Sequence, residues 1–340
     1  MKTFSTRLDR RGFLKGVSSA GLLAVSGRSS LAQSGGKSIF IEPFDLILEF
    51  LPELNAAAGG HFQKQGLDLE IINARGTSLS VQQLVAKQAS FTKLGALDLI
   101  KAYDAQNVPL VSVATIQQSA IFNVVSLKSS PILSPSDMKG KTIGVASLGG
   151  GTENNLDLML AGAGLAKTEV SRQAVGMSPG NVELLKAGRI AAFFATVEGA
   201  VALKRSNAPV EIWNIDRFAP IPGGAYVVTK EFADSEPEKV SKFIRALQAS
   251  VREILSEDAN KILDRVEGKF EITGEKARDF RLDAVKTYNE LIMGKGAENV
   301  LKNVPSVWRA SAELAQKAGI ATVTNIDELY TNRFLDQSSK

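Results

Sequence analysis

The chain has 340 residues, 44% hydrophobic and 22% charged, which is enough for a large core and suggests two lobes. It contains no cysteine and a single histidine, His61, which excludes disulfides, a thiol nucleophile, a thiolate metal site and any multi-histidine metal site. The net charge of +4 belongs to the N-terminus: residues 1–32 hold Lys2, Arg7, Arg10, Arg11, Lys15 and Arg28 against Asp9, so +4 less +5 leaves −1 on the remainder, and no basic footprint for nucleic acid survives.

Residues 1–32 are read as a targeting segment. Asp9-Arg10-Arg11-Gly12-Phe13-Leu14-Lys15 precedes a weakly apolar run, Gly16 to Val25, and a small-x-small site at Ser30-Leu31-Ala32. This resembles a twin-arginine signal, with Asp9 where Ser or Thr is usual. It predicts export by the twin-arginine machinery and a mature chain of 308 residues in the periplasm. The apolar run is too short to span a membrane. Without a cysteine there is no lipidated N-terminus, so the mature protein is expected to be untethered.

After the Gly35-Gly36 linker, Ser38 to Glu42 is a strand stopped by Pro43. A helix is expected from Glu49 through Phe62, with Pro52 in its first turn and Gly66 behind it. Leu67 to Asn73 alternates as a strand, and Gly76-Thr77-Ser78 opens a helix carrying Val81, Leu84 and Val85. Ser90–Leu94 (strand), Ala96–Ala105 (helix), Val108–Ile116 (strand) and Ala120–Ser126 (extended) follow. Lys141 to Ala146 is a buried strand that runs into Gly149-Gly150-Gly151 and then a helix with Leu156, Met159 and Leu160 on its apolar face. Thr152 is expected to cap that helix. Strand and helix go on alternating through Ile190–Ala195, Val197–Ser206 and Val210–Asn214. Gly223-Gly224 leads into a return strand, Ala225–Thr229. Beyond Lys230 the periodicity is helical throughout.

Alternation of this kind predicts an α/β chain with parallel-rich sheets wound by helices. Residues 123–221 form a second lobe inserted into a first made of 37–122 and 222–340, with crossings near Ala120–Val124 and Pro220–Ala225. The C-terminal helices are expected to pack on lobe 1.

Several pieces together resemble one family. They are Asn55-Ala56-Ala57-Ala58 with Gly60 to Glu70, then Gln83 to Ser90, Val108-Pro109-Leu110-Val111, Ser134 to Val145, and Leu184-Leu185-Lys186-Ala187-Gly188-Arg189-Ile190. Over about residues 38–255 the chain resembles the periplasmic solute-binding proteins of ABC importers, in the branch for sulfonates, nitrate, taurine and thiamine-precursor pyrimidines. The resemblance implies a two-lobed type II periplasmic binding protein fold. It also implies ligand capture between the lobes, closure about the hinge and delivery to an ABC permease in the inner membrane. No cofactor is implied. A ligand sensor would need the same closing cleft and stays an alternative.

Ligands in such folds sit at the carboxyl ends of strands. That rule selects Phe44, the Gly76-Thr77-Ser78 turn, Gln118, the Gly149-Gly150-Gly151-Thr152 turn, Glu198 and Tyr226 as ligand-binding candidates. Two glycine turns at helix starts favour an acceptor group such as a sulfonate, carboxylate or carbonyl. The candidate loops hold no arginine or lysine. Phe44, Phe50 and Tyr226 favour a ligand with an apolar or ring body. A small organic acid of that shape comes first and a pyrimidine second. Glu198 is either a solvated helix start, the preferred reading, or the partner of a ligand amine or amidine. His61 is read as packed or exposed rather than as a ligand contact. Fold relatives include a thiamine-pyrimidine synthase that depends on a cysteine-rich motif and a site histidine. This chain has no cysteine, so the expectation is that it is not an enzyme.

Overall fold

The computed structural model describes residues 36–106, 109–323 and 325–336. The export signal expected over residues 1–32 lies outside them. Ten strands form two five-stranded sheets. The first holds β1 (Ser38–Glu42), β2 (Leu69–Asn73), β3 (Phe91–Leu94), β4 (Leu110–Gln117) and β10 (Gly224–Thr229), in the order β2-β1-β3-β10-β4. The second holds β5 (Asn123–Leu127), β6 (Thr142–Val145), β7 (Ser171–Ala174), β8 (Ala192–Ala195) and β9 (Val210–Asn214), in the order β7-β6-β8-β5-β9. The two sheets share one plan. Four strands of each sheet run in one direction, and the fifth, β10 in one sheet and β5 in the other, is inserted antiparallel between two of them. These antiparallel strands are where the chain has crossed between the sheets, after β4 and after β9.

Helices α1 (Leu51–Ala58), α2 (His61–Lys64), α3 (Thr77–Val85) and α4 (Ala96–Gln106) wind the first sheet, while α5 (Gly151–Gly162), α6 (Val182–Lys186) and α7 (Val197–Arg205) wind the second. One long helix was expected up to Phe62. The structure breaks it at Gly59-Gly60, because Gly60 adopts φ 71°, a left-handed turn that costs a glycine little. The chain then continues as α8 (Lys230–Ser235), α9 (Pro237–Ser256), α10 (Ala259–Glu267), α11 (Arg278–Ile292), α12 (Pro305–Lys317) and α13 (Arg333–Asp336).

Helix α9 covers the first sheet. Its Phe243 stacks on Phe91, Phe62 and Phe40 at ring separations of 4.2, 5.6 and 5.7 Å. The later helices do more than pack on lobe 1. Helix α12 lies against both α4 and α5, so Trp308, Ala312 and Ala315 share one core with Leu97 of α4, which winds the first sheet, and Leu156 and Met159 of α5, which winds the second. On the other flank α11 packs on α7, and Arg205 pairs there with Asp279 and Asp283.

Strand β4 is a sheet edge, yet every residue in it is buried. The C-terminal segment covers it: Ser112 N–H donates to Leu329 O at 2.8 Å, Thr115 N–H to Leu301 O at 3.2 Å, and Thr331 N–H to Ser112 O at 2.8 Å. This removes an exposed pairing edge. Gln118 belongs to the same seam. Its Nε2 donates to the carbonyls of Thr115, Asn299 and Lys302 at 2.9 to 3.0 Å.

Candidate functional site: the interlobe cleft

A cavity of about 960 Å³ opens between the two sheets, within the range of small-molecule sites. It is built from strand ends. Pro43 and Phe44 follow β1, Arg75 to Ser78 follow β2, and Gly95 to Asp98 follow β3. From the other lobe come Ser147 and Gly149 to Thr152 after β6, and Thr196 to Glu198 after β8. Ala120 to Phe122 and Ile221 to Gly223, in the two segments that cross between the sheets, also line it. Tyr288 of α11 closes one side.

Nine of the residues expected from sequence meet here: Phe44, Gly76, Thr77, Ser78, Gly149, Gly150, Gly151, Thr152 and Glu198. Phe44 is 50% exposed, so its ring stands at the mouth rather than in the core. Two expectations are corrected. Gln118 is not part of the wall, because its amide is consumed by the three carbonyls of the β4 seam. Tyr226 is not part of it either. Strand alternation turns its ring to the helix face of β10 against Phe243, and its hydroxyl donates to Glu53 Oε2 at 2.6 Å.

The helix starts differ from expectation in an informative way. Neither α3 nor α5 has a side-chain cap. Thr152 does not cap α5. Its Oγ1 accepts from Ala146 N–H at 2.8 Å, pinning the β6 end to the helix. Both starts therefore present first-turn N–H groups without an intrahelical partner, and both line the cavity. The starts of α7, α8 and α10 are capped by Thr196, Thr229 and Asp258, while α1, α6, α9, α11 and α12 also lack a side-chain cap, so what marks α3 and α5 is their place on the cavity wall. A Cβ on Gly151 would meet nothing within 4 Å, so that backbone stands open to the cavity.

Charge in the cleft also departs from the sequence reading. Arg75, one residue before the selected turn, lines the cavity, and so does Lys101, one turn into α4. Neither has an ion pair among the described residues. Arg75 could have been found by widening the turn by one position. Lys93 was invisible to a loop-based search because it projects from within β3.

Lys93 Nζ sits 2% exposed. It donates to Glu49 O at 2.8 Å and lies 3.4 Å from Glu53 Oε1 and 3.8 Å from Glu49 Oε1. Beneath it Glu42 is fully buried, with no hydrogen-bond partner on either carboxylate oxygen. Burial, reinforced by Glu53, pushes the Glu42 carboxyl well above its ordinary range. Glu49, on the cavity wall, is pushed up to about 7, chiefly by burial, with Glu198 and Glu53 adding to the effect against Lys93. Glu198 was preferred as a solvated helix start. Instead it is half-buried in the cleft, where both its oxygens accept from the Tyr288 hydroxyl at 3.0 Å and burial raises its carboxyl.

His61 lies outside the cleft. It is 6% exposed in α2, with Nε2 2.9 Å from Glu253 Oε2. That matches its reading as a packed residue. Among the described residues no group of three or more His, Cys, Asp or Glu side chains is placed to hold a metal ion, and no helix is long and apolar enough to cross a membrane.

Comparison with known proteins agrees with this geometry. The family model described as NMT1/THI5 like matches residues 48–260. A curated relative from Schizosaccharomyces pombe, named 4-amino-5-hydroxymethyl-2-methylpyrimidine phosphate synthase, is 22% identical over 84% of this chain and 83% of its own. Among solved structures, the periplasmic aliphatic sulphonate binding protein SsuA of Escherichia coli superposes with a TM-score of 0.63 at 14% identity, covering 84% of this chain and 90% of that one. The alkanesulfonate-binding protein SsuA of Xanthomonas axonopodis pv. citri, bound to MOPS, gives 0.61 at 14% identity over 87% and 98%. Similarity at this level establishes the periplasmic binding protein fold.

Proposed function

The chain belongs to the NMT1/THI5 like family, and from that premise we propose that it is an exported solute-binding receptor of an ABC importer. It captures a small organic acid or sulfonate with an apolar or ring body and presents it to a permease in the inner membrane. One observation carries this reading. Two helix starts without a side-chain cap, α3 and α5, come from opposite sheets and line the same cavity, whose wall also includes Arg75, Phe44, Phe50 and Phe122. Donors from both lobes can engage one acid group at full strength only when the lobes are close, so binding shifts the chain toward a closed state. The lobes that move are 37–122 with 222–340, and 123–221. Export by the twin-arginine route, through the segment at residues 1–32, completes the proposal.

A second reading rests on the curated relatives, which are named as 4-amino-5-hydroxymethyl-2-methylpyrimidine phosphate synthases. The cleft would then take a pyrimidine. Catalysis gains less support, because the chain has no cysteine and its one histidine is engaged with Glu253 away from the cavity. Native mass spectrometry of the purified protein, followed by thermal shift against sulfonates, aliphatic and aromatic carboxylates and pyrimidines, tests both. A co-purified acid, or stabilisation by one acid class through mass action, supports the receptor reading. A response confined to pyrimidines favours the second. No response from any class removes the family's usual solutes.

A further inference from the structure

We propose that the ligand carries a protonated nitrogen in addition to its acidic group, and that Glu49 and Glu198 receive that nitrogen from opposite lobes. The inference rests on the receptor reading and deepens it.

The cleft is short of positive charge on one side. Among the described residues Glu42, Glu49 and Glu53 gather around one cation, Lys93, which is already divided between Glu53, the Glu49 carbonyl and the more distant Glu49 carboxylate, and Glu198 lies close enough to Glu49 to act on its carboxyl. Glu198 contributes a carboxylate from the second lobe, and its partner from α11 is a hydroxyl, Tyr288, which does not neutralise it. Asn155 supplies an independent sign. It belongs to the cavity wall and is 5% exposed. Its Nδ2 donates to Gly151 O at 2.8 Å, while its Oδ1 has no partner. A buried acceptor left unmatched is costly, so this wall favours a ligand that brings N–H donors.

The topology separates the two kinds of group. Arg75 to Ser78 follow β2, at the sheet edge. Glu49 is held over β3 and β4 by Lys93 and by Gln117, whose Nε2 donates to Glu49 O at 3.4 Å. Two strand spacings or more lie between them, about 10 Å. That span fits an acid and an amine at opposite ends of one ring or short chain. Groups facing Glu49 are Lys93 on β3, Glu53 on α1, Glu42 on β1, Glu198 on α7 and Tyr288 on α11. On the acid side, Arg75 at the β2 end is free of ion pairs among the described residues. A protonated nitrogen between Glu49 and Glu198 would keep both carboxylates ionised and would draw the lobes together.

Isothermal titration with 4-(aminomethyl)benzenesulfonate and 4-methylbenzenesulfonate isolates the nitrogen, since the probes differ only by it. The amine probe should bind at least tenfold more tightly at pH 7.5. Glu198→Gln and Glu49→Gln should each collapse that ratio toward one. Equal or tighter binding of the methyl probe by the unmodified protein overturns the proposal and leaves the receptor reading standing. Binding of neither probe also overturns it, and the acid and pyrimidine panel then decides separately whether the receptor reading falls too.

Discussion

Glu49 offers a stability test that needs no ligand. Its side chain is only 16% exposed, and its carboxyl is raised from 4.5 to about 7 by burial first and by the neighbouring carboxylates next. A raised acid favours the folded state only while it is protonated. The associated stability is fully present below the unfolded value of 4.5 and is lost as pH rises through 7. Each tenfold change in proton affinity is worth about 1.4 kcal/mol, so ionising Glu49 in place between pH 5 and pH 8 costs the fold about 2 to 3 kcal/mol. Glu49→Gln keeps the shape and removes the ionisation. The variant should therefore lose less stability than the parent between pH 5 and pH 8, by about 2 to 3 kcal/mol. Urea unfolding of both proteins at the two pH values measures this directly, and contributions from titrating groups remote from Glu49 cancel in the difference. A Gln variant offset by the same amount at both pH values would refute the argument and would mean that Glu49 is ionised without penalty. Confirmation would add Glu49 to the class of groups kept at a cost to stability, as binding sites often keep them.

Three further outcomes are expected. Gly151→Val places a branched side chain where nothing lies within 4 Å, so it should abolish ligand capture while moving the melting temperature by no more than about 2 °C; unchanged affinity would remove the α5 start from the site. Arg75→Gln should weaken an acidic ligand by about ten- to a hundredfold, the worth of one charge-assisted hydrogen bond, and flatten the salt dependence of binding; titrations at two ionic strengths check both. Asn303, fully buried, accepts from the hydroxyls of Ser112 at 2.6 Å and Thr115 at 2.9 Å, so Asn303→Ala should cost about 2 to 3 kcal/mol in chemical unfolding. The same variant should leave ligand affinity unaltered, since the β4 seam lies away from the cleft wall.

The two-sheet architecture was legible because the evidence for it is local. Short apolar runs such as Leu110–Gln117 and Ala192–Ala195 are buried on both faces and alternate with helices punctuated by glycine, so the periodicity survives reading one segment at a time. What could not be read was anything that needs two distant segments at once. The break between α1 and α2 depends on Gly60 taking a left-handed turn, which an apolar pattern running through it conceals. The bridging role of α12 depends on α4 and α5 standing side by side across the lobe boundary. A helix with Trp308 and Ala312 on one face shows that it is amphipathic but not which surfaces it will join.

The site divides along the same line. Backbone features carried through: the strand-end rule and the glycine turns located nine wall residues, because a turn at the end of a parallel strand has few places to be except the cleft. Side-chain features carried through less well. Tyr226 and Gln118 were chosen for sitting at the right end of a strand, but whether a strand residue faces cleft or core is a matter of register, and one position of alternation sends it the other way. The charge balance failed for a different reason. Lys93 is two residues into a central strand, and Glu49 lies in the short turn before α1. Neither looks like a cleft residue until the sheet brings β3 beneath that turn. The loops alone do not show the positive charge buried under this acidic wall. The candidate loops hold no lysine or arginine, whereas the folded cleft holds Arg75, unpaired among the described residues, toward one edge and under-neutralised carboxylates toward its centre. Ligand chemistry in this fold is therefore set less by the turns that find the site than by the strand and helix residues that come to lie behind them.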